Sequence, residues 1–247
     1  MWERAELKAR AKQVLKENYW KSFLISLVLL LSGADSRGGG SSGRGAGERI
    51  GEWIDYSEYL IIIIAVVILV IAFRVLIGYA LEIGSRKFFV QSAQYKNDKG
   101  CYNFAFDTGN FKGIISTMFL RDIYNFLWTL LLIIPGIIKS YSYRMVPYIL
   151  ADNPNFGADN AITLSRKMMD GNKFALFVLE LSFLGWFLLG LLAFGVGILF
   201  VNPYVYATEA QLYLVLRDTA IDQGYCTAED LNLYNDFVKH DGYYWEE

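Results

Sequence analysis

Histidine and cysteine are almost missing from this sequence: one histidine, His240, and two cysteines, Cys101 and Cys226, in 247 residues. A lone imidazole gives no basis for a histidine-built metal centre or a nucleophile–histidine relay. The two cysteines form no metal-spaced pair and read as unpaired thiols of a reducing compartment. Basic residues show no excess, the net charge being −2, so the concentrated cationic surface of a nucleic-acid partner is lacking. Neither a Ser/Lys motif nor a paired acidic metal motif is found. "GLLAFGVG" has glycines, but not the strand-to-helix setting or the lysine of a phosphate cradle. These gaps predict a protein that is not an enzyme and uses no cofactor or metal.

Apolar residues fill the space instead. They make up 54% of the chain, and only four prolines interrupt it. "YLIIIIAVVILVIAF", from Tyr59 to Phe73, has no charge and extends towards Tyr79, approaching the roughly 20 residues a helix needs to cross a hydrocarbon core. Six such segments are expected, at about 19–33, 58–80, 113–134, 136–152, 174–196 and 201–217. The expected fold class is therefore all-α, a polytopic transmembrane helical bundle. Residues 3–18 are partly amphipathic and predict an interfacial helix leading into the first span. Residues 1–217 then form one membrane domain, with the Gly/Ser-rich stretch 34–57 as a flexible outer loop.

The basic residues orient the bundle. Residues 1–21 hold Arg4, Lys8, Arg10, Lys12, Lys16 and Lys21, and residues 84–112 hold Arg86, Lys87, Lys96, Lys99 and Lys112. Placing both groups in the cytoplasm requires an even number of spans between them. Six spans with both termini inside satisfy this, predicting a multi-pass protein of a bacterial cytoplasmic membrane.

Breaks in the apolar pattern suggest three degenerate helical hairpins. A single helix from Gly113 to Asp152 would run about 60 Å, so an outer turn is expected at Pro135 and Gly136, the alternative being one kinked helix whose polar half extends into the cytoplasm. Gly195, Gly197, Asn202 and Pro203 mark a second break, and Gly78 and Gly84 a third. "VLKENYWKSFLISL", "DTGNFKGIISTMF" and "MMDGNKFALFVLEL" each set Asn18, Asn110 or Asn172 beside aromatic residues and lysine before an apolar run. An amphipathic interfacial helix is expected over 158–170, capped by Asp159 and ended by Gly171, with Arg166 and Lys167 towards anionic headgroups.

Charges within spans are costly unless paired, and so are the best candidates for a site. Counting from the expected turns puts Arg144 and Glu209 near mid-depth, facing one another across a polar interior. Tyr141, Tyr143, Tyr204, Tyr206, Thr208 and Gln211 could supply hydrogen bonds, and the network reads either as a structural lock or as a ligand or ion pathway. At the inner interface, Glu82 and Arg86 have the i,i+4 spacing of a helical pair. Arg74 is placed to snorkel or to meet Glu180. After Arg217 the tail holds eight acids against Lys239 alone, and can pack on the basic face or recruit a cytoplasmic or membrane protein partner.

"LKENYWKSF", "LLIIPGIIKSYSYRMVPYILADNP", "AITLSRKMMDGNKFALFVLELSFLGW" and "GVGILFVNPYVYATEAQLYLVL" together resemble the bacterial domain-of-unknown-function family 975, integral membrane proteins frequent in Firmicutes. The resemblance extends over residues 3 to about 217. It implies a membrane location and brings no activity or catalytic residue. The expected role is a non-catalytic scaffold, envelope-associated or lipid-interacting protein with membrane lipids as partners. The alternative is a small transporter or channel built around Arg144 and Glu209.

Overall fold

A computed structural model describes residues 4–31, 56–96, 100–192 and 196–233, and its described residues are helical with no strand. Most of the glycine-rich stretch (34–55) and the tail from 234, His240 included, lie outside the described residues.

The chain begins with α1 (Arg4–Leu31), one continuous helix through both the expected interfacial segment and the start of the first span. Leu7, Ala11, Leu15, Ser22 and Ser26 recur at four- and seven-residue intervals and are buried, which gives α1 one inward stripe. That stripe packs chiefly on α11 (Val196–Asp222).

α2 (Tyr56–Phe73) and α3 (Tyr79–Ala93) are one rod, joined by a π-helical turn at Arg74–Gly78. The rod is about 57 Å long at 1.5 Å per residue, nearly twice the hydrocarbon core of a bilayer. Its surface changes character at the π turn. Ile61, Leu69 and Leu76 are more than half exposed, whereas Tyr79, Ala80, Ile83, Phe88 and Phe89 are buried.

After the short α4 (Cys101–Phe106), α5 (Thr108–Leu131) and α6 (Ile133–Ser142) form a hairpin. Its turn falls at Leu132, which is extended at φ −158°, ψ 136°. Pro135 was expected to make this turn but lies inside the first turn of α6, where its missing N–H is not needed. Gly136 packs against α5, and a Cβ there would come 2.6 Å from Thr129 Oγ1 and 2.7 Å from Thr129 Cα. Close helix approach, rather than turn geometry, fixes this glycine.

The expected fourth span, 136–152, is not one helix. Residues 143–145 break it into α6 and α7 (Val146–Asp152). Pro147, near the start of α7, cannot donate a hydrogen bond back to the preceding turn. Ser165, fully buried, bridges the break: its Oγ donates to the Ser142 carbonyl at 2.8 Å and accepts the Met145 N–H at 3.2 Å.

α8 (Ala158–Met168) buries Ala161, Ile162, Leu164, Ser165 and Met168 on one face, with Arg166 and Lys167 outside. Gly157, rather than Asp159, occupies its N-cap position, with no side-chain cap, and Gly171 follows at φ +73°. α9 (Lys173–Leu181) packs on α6, and α10 (Leu184–Leu192) packs along α11. A Cβ at Gly197 would come 2.5 Å from Gly190 Cα, so the two glycines set the approach of this hairpin. Pro203 does not separate two segments, because α11 runs through it.

Two helices, Ile63–Ala93 and Lys173–Leu192, are long and apolar enough to cross a membrane. Of the expected spans, 136–152 is broken between α6 and α7, whereas 201–217 lies within the continuous α11.

Candidate functional site

Four charged side chains meet, from α3, the break between α6 and α7, α9 and α11. On α11, Tyr206, Glu209 and Tyr213 are three and four residues apart, so they share one helical face, and all three are buried. Glu209 Oε1 accepts from Arg144 Nη2 at 3.1 Å. Its Oε2 accepts from Arg86 Nη1 at 3.2 Å and from the Tyr148 hydroxyl at 3.0 Å.

Arg86 reaches this carboxylate from α3 with only 4% of its surface exposed. Its guanidinium also donates to the Tyr148 hydroxyl at 2.9 Å. It lies 5.0 Å from the Tyr148 ring centre and 4.8 Å from that of Tyr206. A guanidinium is weakly hydrated and stacks on aromatic faces, so the site suits arginine rather than lysine.

Arg144 stands at the break between α6 and α7 and extends the ladder. Its Nη2 also donates to Glu180 Oε1 of α9 at 2.8 Å, and Glu180 Oε2 accepts from the Tyr141 hydroxyl at 2.6 Å. The sequence Arg86–Glu209–Arg144–Glu180 alternates in sign and balances in charge. Losing hydration penalises each group, and only close pairing with hydrogen bonds offsets that penalty.

The expected facing pair, Arg144 and Glu209, is thus in contact, and Tyr141 joins it through Glu180. Thr208 is directed elsewhere, with its hydroxyl donating to the Tyr204 carbonyl at 2.8 Å in its own helix. Tyr204 packs edge-on against Phe183, with ring centres 5.2 Å apart. Tyr143 is buried beside the break.

The residues expected at the inner interface have partners other than those expected. Glu180 binds Arg144 rather than Arg74, whose Nη2 lies 3.4 Å from Glu82. Glu82 lies 3.5 Å from Arg121 of α5, and Arg121 in turn contacts Asp122 at 2.7 Å. Arg86 takes the Glu209 carboxylate rather than pairing with Glu82. An i,i+4 pair contributes only about 0.2–0.5 kcal/mol, so tertiary partners readily override it.

A third cluster closes the far end of α11. Asp152 Oδ2 accepts from the Tyr213 hydroxyl at 2.6 Å and from Arg217 Nη1 at 3.1 Å. Arg121, Asp122, Tyr148, Asp152, Tyr213 and Arg217 were not singled out from sequence as members of a site. A signal existed for three: Tyr148 is one turn beyond Arg144, and Tyr213 and Arg217 continue the Glu209 face at four-residue steps.

Cys101 and Cys226 are both buried, and the Cys101 thiol donates to Gln91 Oε1 at 2.9 Å. Burial, together with the nearby Asp230 carboxylate, pushes the Cys226 thiol up from its ordinary value. Among the described residues, no three His, Cys, Asp or Glu side chains converge as metal ligands.

Residues 129–220 match the model of a family described as protein of unknown function (DUF975), the family the sequence resembles. The matched region takes in Arg144, Glu180 and Glu209 but not Arg86. No curated protein and no solved structure matches the chain.

Proposed function

We propose that this is a non-catalytic, polytopic protein of a bacterial cytoplasmic membrane, with both termini inside, in which the charge ladder locks helical hairpins into a scaffold that interacts with lipid. One observation carries the reading: Arg86, Glu209, Arg144 and Glu180 are joined by direct contacts of 2.8–3.2 Å. Charges used to hold one another are the mark of a packing device rather than a conduit.

The apolar surfaces support the membrane part of the reading. Beside the α5–α6 turn, Leu130, Leu131, Leu132, Ile133 and Ile134 are between 61% and 72% exposed, and Leu192 at the end of α10 is 81% exposed. Such continuous apolar surface is a liability in water and ordinary against lipid. A transporter or channel is the second reading, favoured by one detail: the buried Nε atoms of Arg86 and Arg144 have no hydrogen-bond acceptor among the described residues.

Reconstitution separates the readings. The protein in phospholipid vesicles is expected to resist alkaline carbonate extraction and to pass no protons, sodium or potassium above the level of empty vesicles under an imposed gradient. Ion flux that disappears in Glu209→Gln would overturn the scaffold reading in favour of transport.

A further inference from the structure

Outside the ladder, a pocket of about 350 Å³ opens between the end of α6, the outer face of α8 and the start of α9. Lys139, Arg166, Lys167 and Lys173 line it, with Asp170 as the one carboxylate. Asp170 lies 3.8 Å from Lys173. Lys167 also stands over the Tyr225 ring, 4.9 Å from its centre. Among the described residues, no carboxylate pairs with Lys139 or Arg166. Four cations from three elements are held together with one carboxylate, an excess of positive charge that an anion relieves.

The surroundings narrow the class of anion. Lys139 follows Ile137 and Ile138, about half exposed, and Lys173 precedes Phe174, 75% exposed, and Phe177, 45% exposed. Trp128, amphipathic and partly exposed, carries the Lys139 ammonium 4.6 Å above its ring. Charge thus meets apolar surface on both sides of the pocket. Its volume is at the small end of ligand sites, about 300–1,000 Å³, which suits a headgroup whose acyl chains lie outside. Arg166 can offer a phosphate two parallel N–H donors, with the lysines as point charges beside it.

We propose that Lys139, Arg166 and Lys173 form a binding site for the phosphate of an acidic phospholipid where this charged pocket meets the exposed apolar surface of the protein. The site rests on the membrane reading above and gives it a specific ligand chemistry.

The test uses the full chain in nanodiscs of equal parts phosphatidylglycerol and phosphatidylcholine, with retained lipid counted by native mass spectrometry after detergent extraction. Phosphatidylglycerol is expected to be retained over phosphatidylcholine. Arg166→Gln and Lys139→Gln should each weaken that preference by about fivefold, the effect of one cation near an anionic surface. Lys112→Gln, an exposed cation on α5, should leave it unchanged. Unaltered thermal unfolding of the variants excludes misfolding as the cause, and Arg166→Lys should restore part of the preference.

Equal retention of the two lipids by embedded protein overturns the site while leaving the membrane reading standing. Protein that carbonate strips from membranes sinks the membrane reading and the lipid assignment with it. Displacement of phosphatidylglycerol by millimolar inorganic phosphate would assign the pocket to a soluble phosphate and overturn the lipid as its ligand.

Discussion

Removing the Glu209 carboxylate would leave two guanidinium groups, those of Arg86 and Arg144, facing a neutral side chain in a buried site. Breaking one side of a buried ion pair typically costs about 3–5 kcal/mol, because the stranded charge keeps its dehydration penalty. Glu209→Gln is therefore expected to lower the unfolding midpoint sharply in detergent, followed by tryptophan fluorescence. Tyr148→Phe keeps the ring against Arg86 and removes one hydroxyl, and should cost only about 1–3 kcal/mol. The shared carboxylate also predicts how charge reversal behaves. Exchanging Arg144 and Glu209 restores one contact but sets an arginine at 209 against Arg86, so the exchange should recover only part of the loss. Arg144→Gln combined with Glu209→Gln is the cleaner cycle, with an expected non-additivity of about 0.5–3 kcal/mol. Additive losses would show that the 3.1 Å contact couples nothing.

At the scale of elements, the helices were legible where composition changes abruptly and less so where packing decides. Apolar runs and the amphipathic period of 158–170 locate α2, α5 and α8 without tertiary information. The breaks expected at Pro135 and Pro203 do not fall at those prolines for a common reason: each proline is tolerated inside a helix, while Gly136 and Gly197 are held by a facing backbone. The ladder was half legible. Arg144 and Glu209 stand out as charges in apolar company, but Arg86 sits beside a ready local partner, Glu82, that conceals its long-range one.

Two tests belong to this scale. Gly197→Ala puts a methyl group against the Gly190 backbone and should cost about 1–3 kcal/mol, as overpacking does, while Gly185→Ala, where nothing lies within 4 Å, should be nearly silent. After α11, Thr227 and Asp230 form a reciprocal cap: the Thr227 N–H donates to Asp230 Oδ2 at 2.8 Å, and the Asp230 N–H donates to Thr227 Oγ1 at 3.1 Å. Hydrogen bonds to the carboxylate from the Thr227 backbone N–H and from the Thr227 side chain hold Asp230 below its ordinary 3.8. A depressed carboxyl stabilises the fold above its unfolded-state value and loses that contribution as pH falls through the folded one. Protection of the Thr227 amide in hydrogen exchange should hold at neutral pH and fall in acid below 3.8. In Asp230→Asn, protection should be low at both.

For the whole molecule, charge and apolarity divide the hairpins in the same way. In each, the stretch beside the connecting turn is apolar, as in α2, the α5–α6 tip and α10, and the stretch away from it carries the buried charges of α3, the α6–α7 break and α11. If those turns face outward, the basic residues of α1 and Lys112 lie on the cytoplasmic side, as the positive-inside rule requires. The opposite orientation would ask the same cations to cross the bilayer. Side-specific labelling decides between them. A cysteine at Lys112 should resist a membrane-impermeant maleimide in intact cells and react after permeabilisation, whereas one at Ser42 in the glycine-rich stretch should react from outside. The native Cys101 and Cys226, 4% and 6% exposed, should add little background. Labelling of residue 112 from outside would invert the topology and carry the phosphate pocket to the opposite leaflet, so the sidedness of one exposed residue tests the orientation of the whole bundle.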